Sequence, residues 1–154
     1  MYAKALVSKT FERDVIRSLA LMMCVIGIML IPQVYALDPL ERVPIEFPRL
    51  VNAFNSPVSE NVNVNQQVQI ASEVTNKQGT IQDFVYIVQI RNEDNIIVSL
   101  GWSTGTLQPS QTFSQARSWT PDSPGTYTAD IFVWKSFSEP EALSEGKTIK
   151  ITVS

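Results

Sequence analysis

Carboxylates are the side chains in this sequence with the widest choice of chemistry. Asp83, Glu93, Asp94, Asp122, Asp130, Glu139, Glu141 and Glu145 are the acids to weigh. A glycosidase needs two carboxyl groups about 5–9.5 Å apart in a cleft. A short chain without large insertions rarely builds that cleft, so these acids are expected to be solvated turn residues. Asn92-Glu93-Asp94-Asn95 offers a cluster of oxygens to calcium, but it lacks the spaced Asp-x-Asp-x-Asp-Gly order of a dedicated loop. No metal site is assigned.

Other reaction types are closed off by what is missing. There is no histidine among the 154 residues, and the one cysteine is Cys24. Blue copper needs His and Cys ligands, and structural zinc needs Cys or His. Serine and cysteine nucleophiles activated by histidine are equally excluded. The chain is therefore read as a non-enzyme: no catalytic residue and no cofactor is expected. Nucleic acid is excluded on charge. Lys and Arg number 12 against 15 Asp and Glu; residues 1–36 hold four of the cations and two of the acids, which leaves −5 on the remainder. The remaining cations are scattered singly, and nucleic-acid surfaces cluster theirs.

The elements that must position any site come in a recognisable order. Ser18 to Ile31 is an uncharged, almost wholly apolar run behind a cationic start. At 14 residues it is short for a membrane span, which takes about 20, and fits the core of a secretory signal. Val34-Tyr35-Ala36 supplies the cleavage site, so residues 1–36 are read as a signal peptide removed after Ala36. The runner-up is an uncleaved anchor, with residues 18–31 as the sole membrane contact. In both cases the C-terminal part lies outside. Leu21-Met22-Met23-Cys24 superficially resembles a lipoprotein signal, but six apolar residues follow the cysteine where a small-residue cleavage site should precede it. The part after residue 36 then holds no cysteine, and its core alone must stabilise it.

Residues 37–57 are Pro-rich and still carry Leu40, Val43, Ile45, Phe47, Leu50, Val51 and Phe54. They are read as an extended stalk whose end, 49–54, forms a first edge strand. Residues 58–154 alternate like strands. These run over 61–74, 83–91, 96–102, 111–119, 129–134 and 147–153, with turns at Asn76-Lys77-Gln78-Gly79 and Asn92-Glu93-Asp94-Asn95. The expected fold is therefore all-β: a seven-stranded immunoglobulin-like antiparallel sandwich behind an N-terminal signal or anchor helix. No internal repeat and no glycosylation sequon occurs.

Ser118-Trp119-Thr120-Pro121-Asp122-Ser123-Pro124-Gly125-Thr126-Tyr127 makes a corner that feeds the strand to Trp134. Together with Val68 to Val74 ending in Thr75-Asn76, the Leu107-Gln108-Pro109-Ser110-Gln111 turn and the closing Ile149-Lys150-Ile151-Thr152-Val153, it resembles the immunoglobulin-like modules of the CARDB type and related adhesion-like domains of prokaryotic surface proteins. It is also similar to small secreted β-sandwich proteinase inhibitors that share a tryptophan followed by Pro-Gly-x-Tyr. The resemblance implies a sandwich in which Tyr127 points inward and its hydroxyl closes the corner. Ala129 then stands where antibody domains carry their second disulfide cysteine.

With Tyr127 inward, parity sends Ala129, Ile131 and Val133 inward and Thr128, Asp130, Phe132 and Trp134 outward. On the Asp83 strand Phe84, Tyr86, Val88 and Ile90 face the core, leaving Val85 and Ile87 outside. Val85, Ile87, Phe132 and Trp134 thus form an apolar stripe on an outer face. Either the chain covers it, with 40–47 or 96–102 laid across, or it binds a partner: a protein, a second copy or a surface glycan. Trp119 is read as corner packing. Trp102 is half exposed and offers a stacking face to a sugar. The expected function is an exported or cell-surface binding module without catalysis. The alternative is a small secreted protease inhibitor acting through 102–110 or 135–146, and a hydrolase comes third.

Overall fold

Proline and glycine at Pro121, Pro124 and Gly125 prevent the chain from continuing straight after Trp119. Gly125 takes φ +149°, a backbone conformation that side chains with a Cβ avoid. The corner that results is closed by Tyr127, whose hydroxyl donates to the Ser123 carbonyl at 3.0 Å. Its ring meets Trp119 edge-on, with centroids 5.0 Å apart. Tyr127→Phe keeps the ring and removes the bond to a partly buried carbonyl. It is expected to cost about 1 kcal/mol in denaturant unfolding, and an unchanged midpoint would contradict this role.

The computed structural model describes residues 37–154. The signal, cleavage-site, lipoprotein and anchor readings fall on residues 1–36 and lie outside the described residues. No helix of the described residues is long and apolar enough to cross a membrane. A single 3-10 turn, Pro39–Glu41, precedes eight strands: β1 Ile45–Val51, β2 Asn61–Val62, β3 Val68–Thr75, β4 Gln82–Arg91, β5 Ile97–Leu107, β6 Thr112–Trp119, β7 Gly125–Trp134 and β8 Lys147–Val153. They form a three-stranded sheet in the order β1-β3-β6 and a five-stranded sheet in the order β2-β8-β7-β4-β5. All neighbours run antiparallel except β2 and β8.

The inner faces of the two sheets form one core. Ile70, Val74, Tyr86, Ile90, Ala129, Ile131, Val133 and Ile151 are all buried within it. The parity set by Tyr127 therefore holds along β7 and β4. Tyr86 is the largest of the fully buried side chains, and its hydroxyl accepts from Ser72 Oγ at 3.1 Å.

Three details differ from the sequence reading. The segment taken as a stalk is built into the sandwich: Val43 and Val51 are fully buried, and β1 starts at Ile45 rather than Arg49. A positive φ at Phe47 and the following Pro48 kink this edge strand but leave its pairing with β3 intact on both sides. Secondly, the single run read over 61–74 is two strands in different sheets. Asn65 adopts φ +63°, and Gln66 Oε1 accepts from the Asn63 amide at 2.9 Å, so the chain turns there and changes layer. That raises the strand count from seven to eight. Finally, β5 runs through Gly105 to Leu107. Glycine does not break it, because a Cβ at Gly105 would stand 2.9 Å from the Phe84 ring; the residue makes room for a core aromatic on the neighbouring strand.

Candidate functional site

The outward face of the five-stranded sheet is the candidate. Cross-strand register decides what it contains. Val85 lies between Thr104 and Trp134, Ile87 between Trp102 and Phe132, and Gln89 between Leu100 and Asp130. Directly paired side chains stand about 5 Å apart on one face. Trp102 and Phe132 therefore shade Ile87 from both sides, and Trp134 shades Val85 from one; the two retain only 7% and 2% exposure.

Neither segment considered as a cover lies across this face. Residues 97–107 pair beside β4 and widen the stripe instead of capping it. Residues 45–51 belong to the other sheet, and Arg42 and Val43 bind the loop after β7: Arg42 pairs with Glu141 at 2.9 Å, and the Val43 amide donates to the Leu143 carbonyl at 2.9 Å. Phe132 and Trp134 are left half-buried, while Leu100, Phe137 and Trp102, the last 51% exposed, stand open beside them. Phe137 meets Trp102 edge-on at 5.7 Å between centroids. Together with Ile87 and Gln89 these side chains line a groove of about 450 Å³.

The four residues singled out from sequence thus share one face, in different roles. Ile87 is the floor of the groove, Phe132 and Trp134 form one wall, and Val85 is buried outside its lining. Leu100, Trp102 and Phe137 make the other wall and were not grouped with them. Parity along Ile96 to Trp102 carries a signal for Leu100. Phe137 lies in an irregular loop where periodicity says nothing.

The polar end of the same face is internally paired. Arg91 Nε and Nη2 donate to the Asp130 carboxylate at 2.7 and 3.2 Å, Thr148 Oγ1 donates to it at 3.2 Å, and Arg91 Nη1 donates to Asn95 Oδ1 at 2.7 Å. Asp130 is buried with its lone pairs in use, which makes it a structural acid. The calcium reading of the Asn92–Asn95 turn meets the same obstacle. Asn92 Oδ1 accepts from the Ile96 amide, and Glu93 Oε1 accepts from the Thr126 amide at the corner.

A larger cavity of about 700 Å³, bounded by Leu37, Pro44, Ser144 and others, brings Asp38, Glu41 and Glu145 near Lys77 and Lys147. All three acids are exposed. Among the described residues, no group of three or more His, Cys, Asp or Glu could hold a metal ion. The inhibitor reading loses one of its loops. Residues 102–107 are paired strand, and only 108–111 turns. The other loop, 135–146, is anchored by Leu143, which is fully buried and donates its amide to the Val133 carbonyl.

Two packed sheets, antiparallel except where β2 meets β8, and a tyrosine corner define an immunoglobulin-like β-sandwich. The chain belongs to the S-layer A-like family, whose model matches residues 44–153. No curated protein sequence matches it. Among solved structures it is similar to the C-terminal domain of Wzt, with 13% identity, a TM-score of 0.64 and 80% of each chain covered. It is also similar to the CARDB domain of a Pyrococcus furiosus protein in complex with di-metal ions, with 21% identity, a TM-score of 0.50, and 72% of this chain and 89% of that one covered. A Paenibacillus cycloisomaltooligosaccharide glucanotransferase matches at 20% identity and a TM-score of 0.54 over 73% of this chain, but over only 14% of the enzyme. At these identities the likeness is one of fold.

Proposed function

We propose that this protein is a non-catalytic module of the cell surface that binds a protein or surface-glycan partner on the outer face of its five-stranded sheet. Export through a signal ending at Ala36 is part of the proposal. Membership in the S-layer A-like family supports a place at the surface, and the paired state of Asp130 and the exposed setting of the acids near Leu37 support binding over catalysis.

The observation that carries the reading is the groove. Trp102, Phe132, Trp134 and Phe137 are held half-open around an apolar floor, with the Gln89 amide at its polar end. Burying such side chains stabilises by about 1.5–3 kcal/mol each, so leaving several wet on one face marks an interaction surface. Tryptophan in a partly dry pocket is the commonest anchor of protein interfaces, and its flat ring equally suits the apolar face of a sugar.

The test uses protein recovered from outside the cell, whose first residue by N-terminal sequencing is expected to be Leu37. Binding to isolated cell envelopes is compared for the native chain and Trp134→Ala. A loss of about 30-fold is expected, the effect of removing one anchor worth about 2 kcal/mol. Envelopes treated with protease or with periodate separate a protein partner from a glycan. Undiminished binding by Trp134→Ala would remove this face from the proposal.

A further inference from the structure

The corner end of the sandwich holds another cavity, of about 420 Å³, that shares no lining residue with the groove. Separate segments meet there. Asn92 comes from the β4–β5 turn, Ser99 from β5, Trp119 from the end of β6, Thr120 and Asp122 from the corner, and Tyr127 from β7. The volume lies within the range of ligand pockets, about 300–1,000 Å³. Local backbone features shape the rim. Ile90 pairs with Ser99 but Arg91 pairs with Ile97, so Val98 is an extra residue in the ladder, and such bulges re-aim side chains beside binding sites. On the corner, Asp122 stands between two anchored neighbours. The Pro121 carbonyl accepts from the Asn65 amide at 2.8 Å, and the Ser123 carbonyl accepts from the Tyr127 hydroxyl.

The Trp119 indole is the group that points to a ligand. Its side chain is only 8% exposed and its ring packs on Tyr127, and a buried indole N–H ordinarily finds an acceptor. Among the described residues none supplies one, yet no buried side-chain nitrogen is sealed from solvent without a partner. The N–H therefore reaches open space, and Trp119 lines this cavity. Other groups around it are open too. Asn92 Oδ1 is taken by the Ile96 amide, which leaves the Asn92 Nδ2 donors free. Asp122 Oδ1 accepts from Ser123 Oγ at 2.8 Å, which leaves Asp122 Oδ2 free. The Ser99 and Thr120 hydroxyls, on the same lining, have no partner among the described residues.

We propose that this cavity binds one ring of a neutral sugar. The mixture of donors and acceptors decides the class. An anion finds neither Lys nor Arg among the lining residues and meets the Asp122 carboxylate. An ammonium group has no acceptor to offer the Trp119 and Asn92 donors. A metal ion finds one carboxylate, with one oxygen in use, and among the described residues no group of three ligands. An apolar ligand finds Val98 as the only aliphatic side chain of the lining. A ring hydroxyl donates and accepts at once. Neighbouring hydroxyls can therefore give a proton to Asp122 Oδ2 and accept from the Asn92 amide and the Trp119 N–H, and the bond to the carboxylate is charge-assisted. The anchored corner holds Asp122 in place before binding, so little order is lost when a ligand enters. The cavity and the groove have no residue in common, and either reading can fail without the other.

The experiment titrates the full, isotope-labelled chain with methyl glucoside, methyl mannoside, methyl galactoside and N-acetylglucosamine, and follows the indole N–H signals by nuclear magnetic resonance. The tryptophans are Trp102, Trp119 and Trp134, so Trp102→Phe and Trp134→Phe assign the Trp119 signal by elimination. At least one sugar is expected to shift that signal along a saturable curve below about 100 mM, a concentration that fills a site with a Kd of about 1–10 mM. Asp122→Ala is expected to weaken the same sugar by about tenfold or more, the effect of losing one charge-assisted hydrogen bond. If Asp122→Ala disturbs the corner, seen as a lower Tm, Ser99→Ala on β5 replaces it and is expected to weaken binding severalfold. No shift with any of the four sugars, a shift that both alanine variants leave untouched, or tighter binding of methyl glucuronide than of methyl glucoside would overturn the inference.

Discussion

Replacing Asn76 by alanine is expected to lower the stability of the domain by about 3 kcal/mol, seen as a fall in Tm on the order of 10–15 °C. Asn76 is fully buried, and its side-chain nitrogen lies within hydrogen-bond reach of three carbonyls: Thr80 at 2.8 Å, Leu107 at 3.1 Å and Gln108 at 3.2 Å. Its side-chain oxygen accepts from the Gln78 amide at 3.0 Å, and its own amide and carbonyl bind Gln111 and Ser110. One residue thereby ties the β3–β4 turn to the β5–β6 turn, which is the point where the two sheets exchange chain. Alanine leaves the Leu107 carbonyl buried without this donor and weakens the partly buried bonds at Thr80 and Gln108, and a buried polar group without a partner costs about 1–3 kcal/mol. Asn76→Asp separates hydrogen bonding from shape. It keeps the acceptor, loses both donors and adds a buried charge facing carbonyl oxygens. It is expected to be at least as damaging as alanine, and an aspartate variant of native stability would show that the carbonyls do not depend on the amide.

Raising the pH is expected to destabilise the fold by about 3 kcal/mol through Tyr86 alone. Burial pushes the Tyr86 phenol up from 10 to about 12; the hydrogen bond from Ser72 and the charges of Arg117 and Arg49 oppose that shift only in part. The unfolded phenol ionises near pH 10, and the folded one resists until about pH 12. Below pH 10 this contribution is intact. Between the two values the unfolded state loses the proton first, so stability falls as pH rises. Tyr86→Phe reads this group against the background of other titrations. At pH 8 the variant is expected to be less stable by about 1 kcal/mol, because Ser72 Oγ loses its buried partner. Near pH 12 the order is expected to reverse, since phenylalanine has no proton to give up. Parallel pH profiles for the two proteins would show that the phenol is not held neutral by the fold.

Both residues illustrate how the chain encodes its structure. Alternation assigns Tyr86 to the core, because the polar residues Asp83, Gln89 and Arg91 share one parity and leave the other for burial. Its partner Ser72 lies on the other sheet; parity with Val68, Ile70 and Val74 turns that serine inward, but nothing local shows that a tyrosine hydroxyl meets it there. Asn76 looked like an ordinary turn residue, since asparagine is common in turns. That it is a buried hub follows from the arrival of residues 107–111 some thirty positions later, which no local pattern records.

The candidate site divides along the same line. Alternation and one corner determined the all-β fold, the inward face of β7 and β4, and the apolar character of Val85, Ile87, Phe132 and Trp134, because side-chain direction in a strand is set by parity. Neighbour relations decided the rest. Pairing β5 beside β4 turned Trp102 and Leu100 into a second wall, and the loop after β7 brought Phe137 onto Trp102. The pairings on the two sides of β4 bury Ile87 between Trp102 and Phe132 and Val85 between Thr104 and Trp134, so two of the four stripe residues leave the exposed surface. Which strand lies beside which is a long-range choice, settled by core packing between sheets and by turns such as that at Asn65, where a strand-like run changes layer. The sequence by itself determined which residues leave the core; only the tertiary structure decided which of them meet.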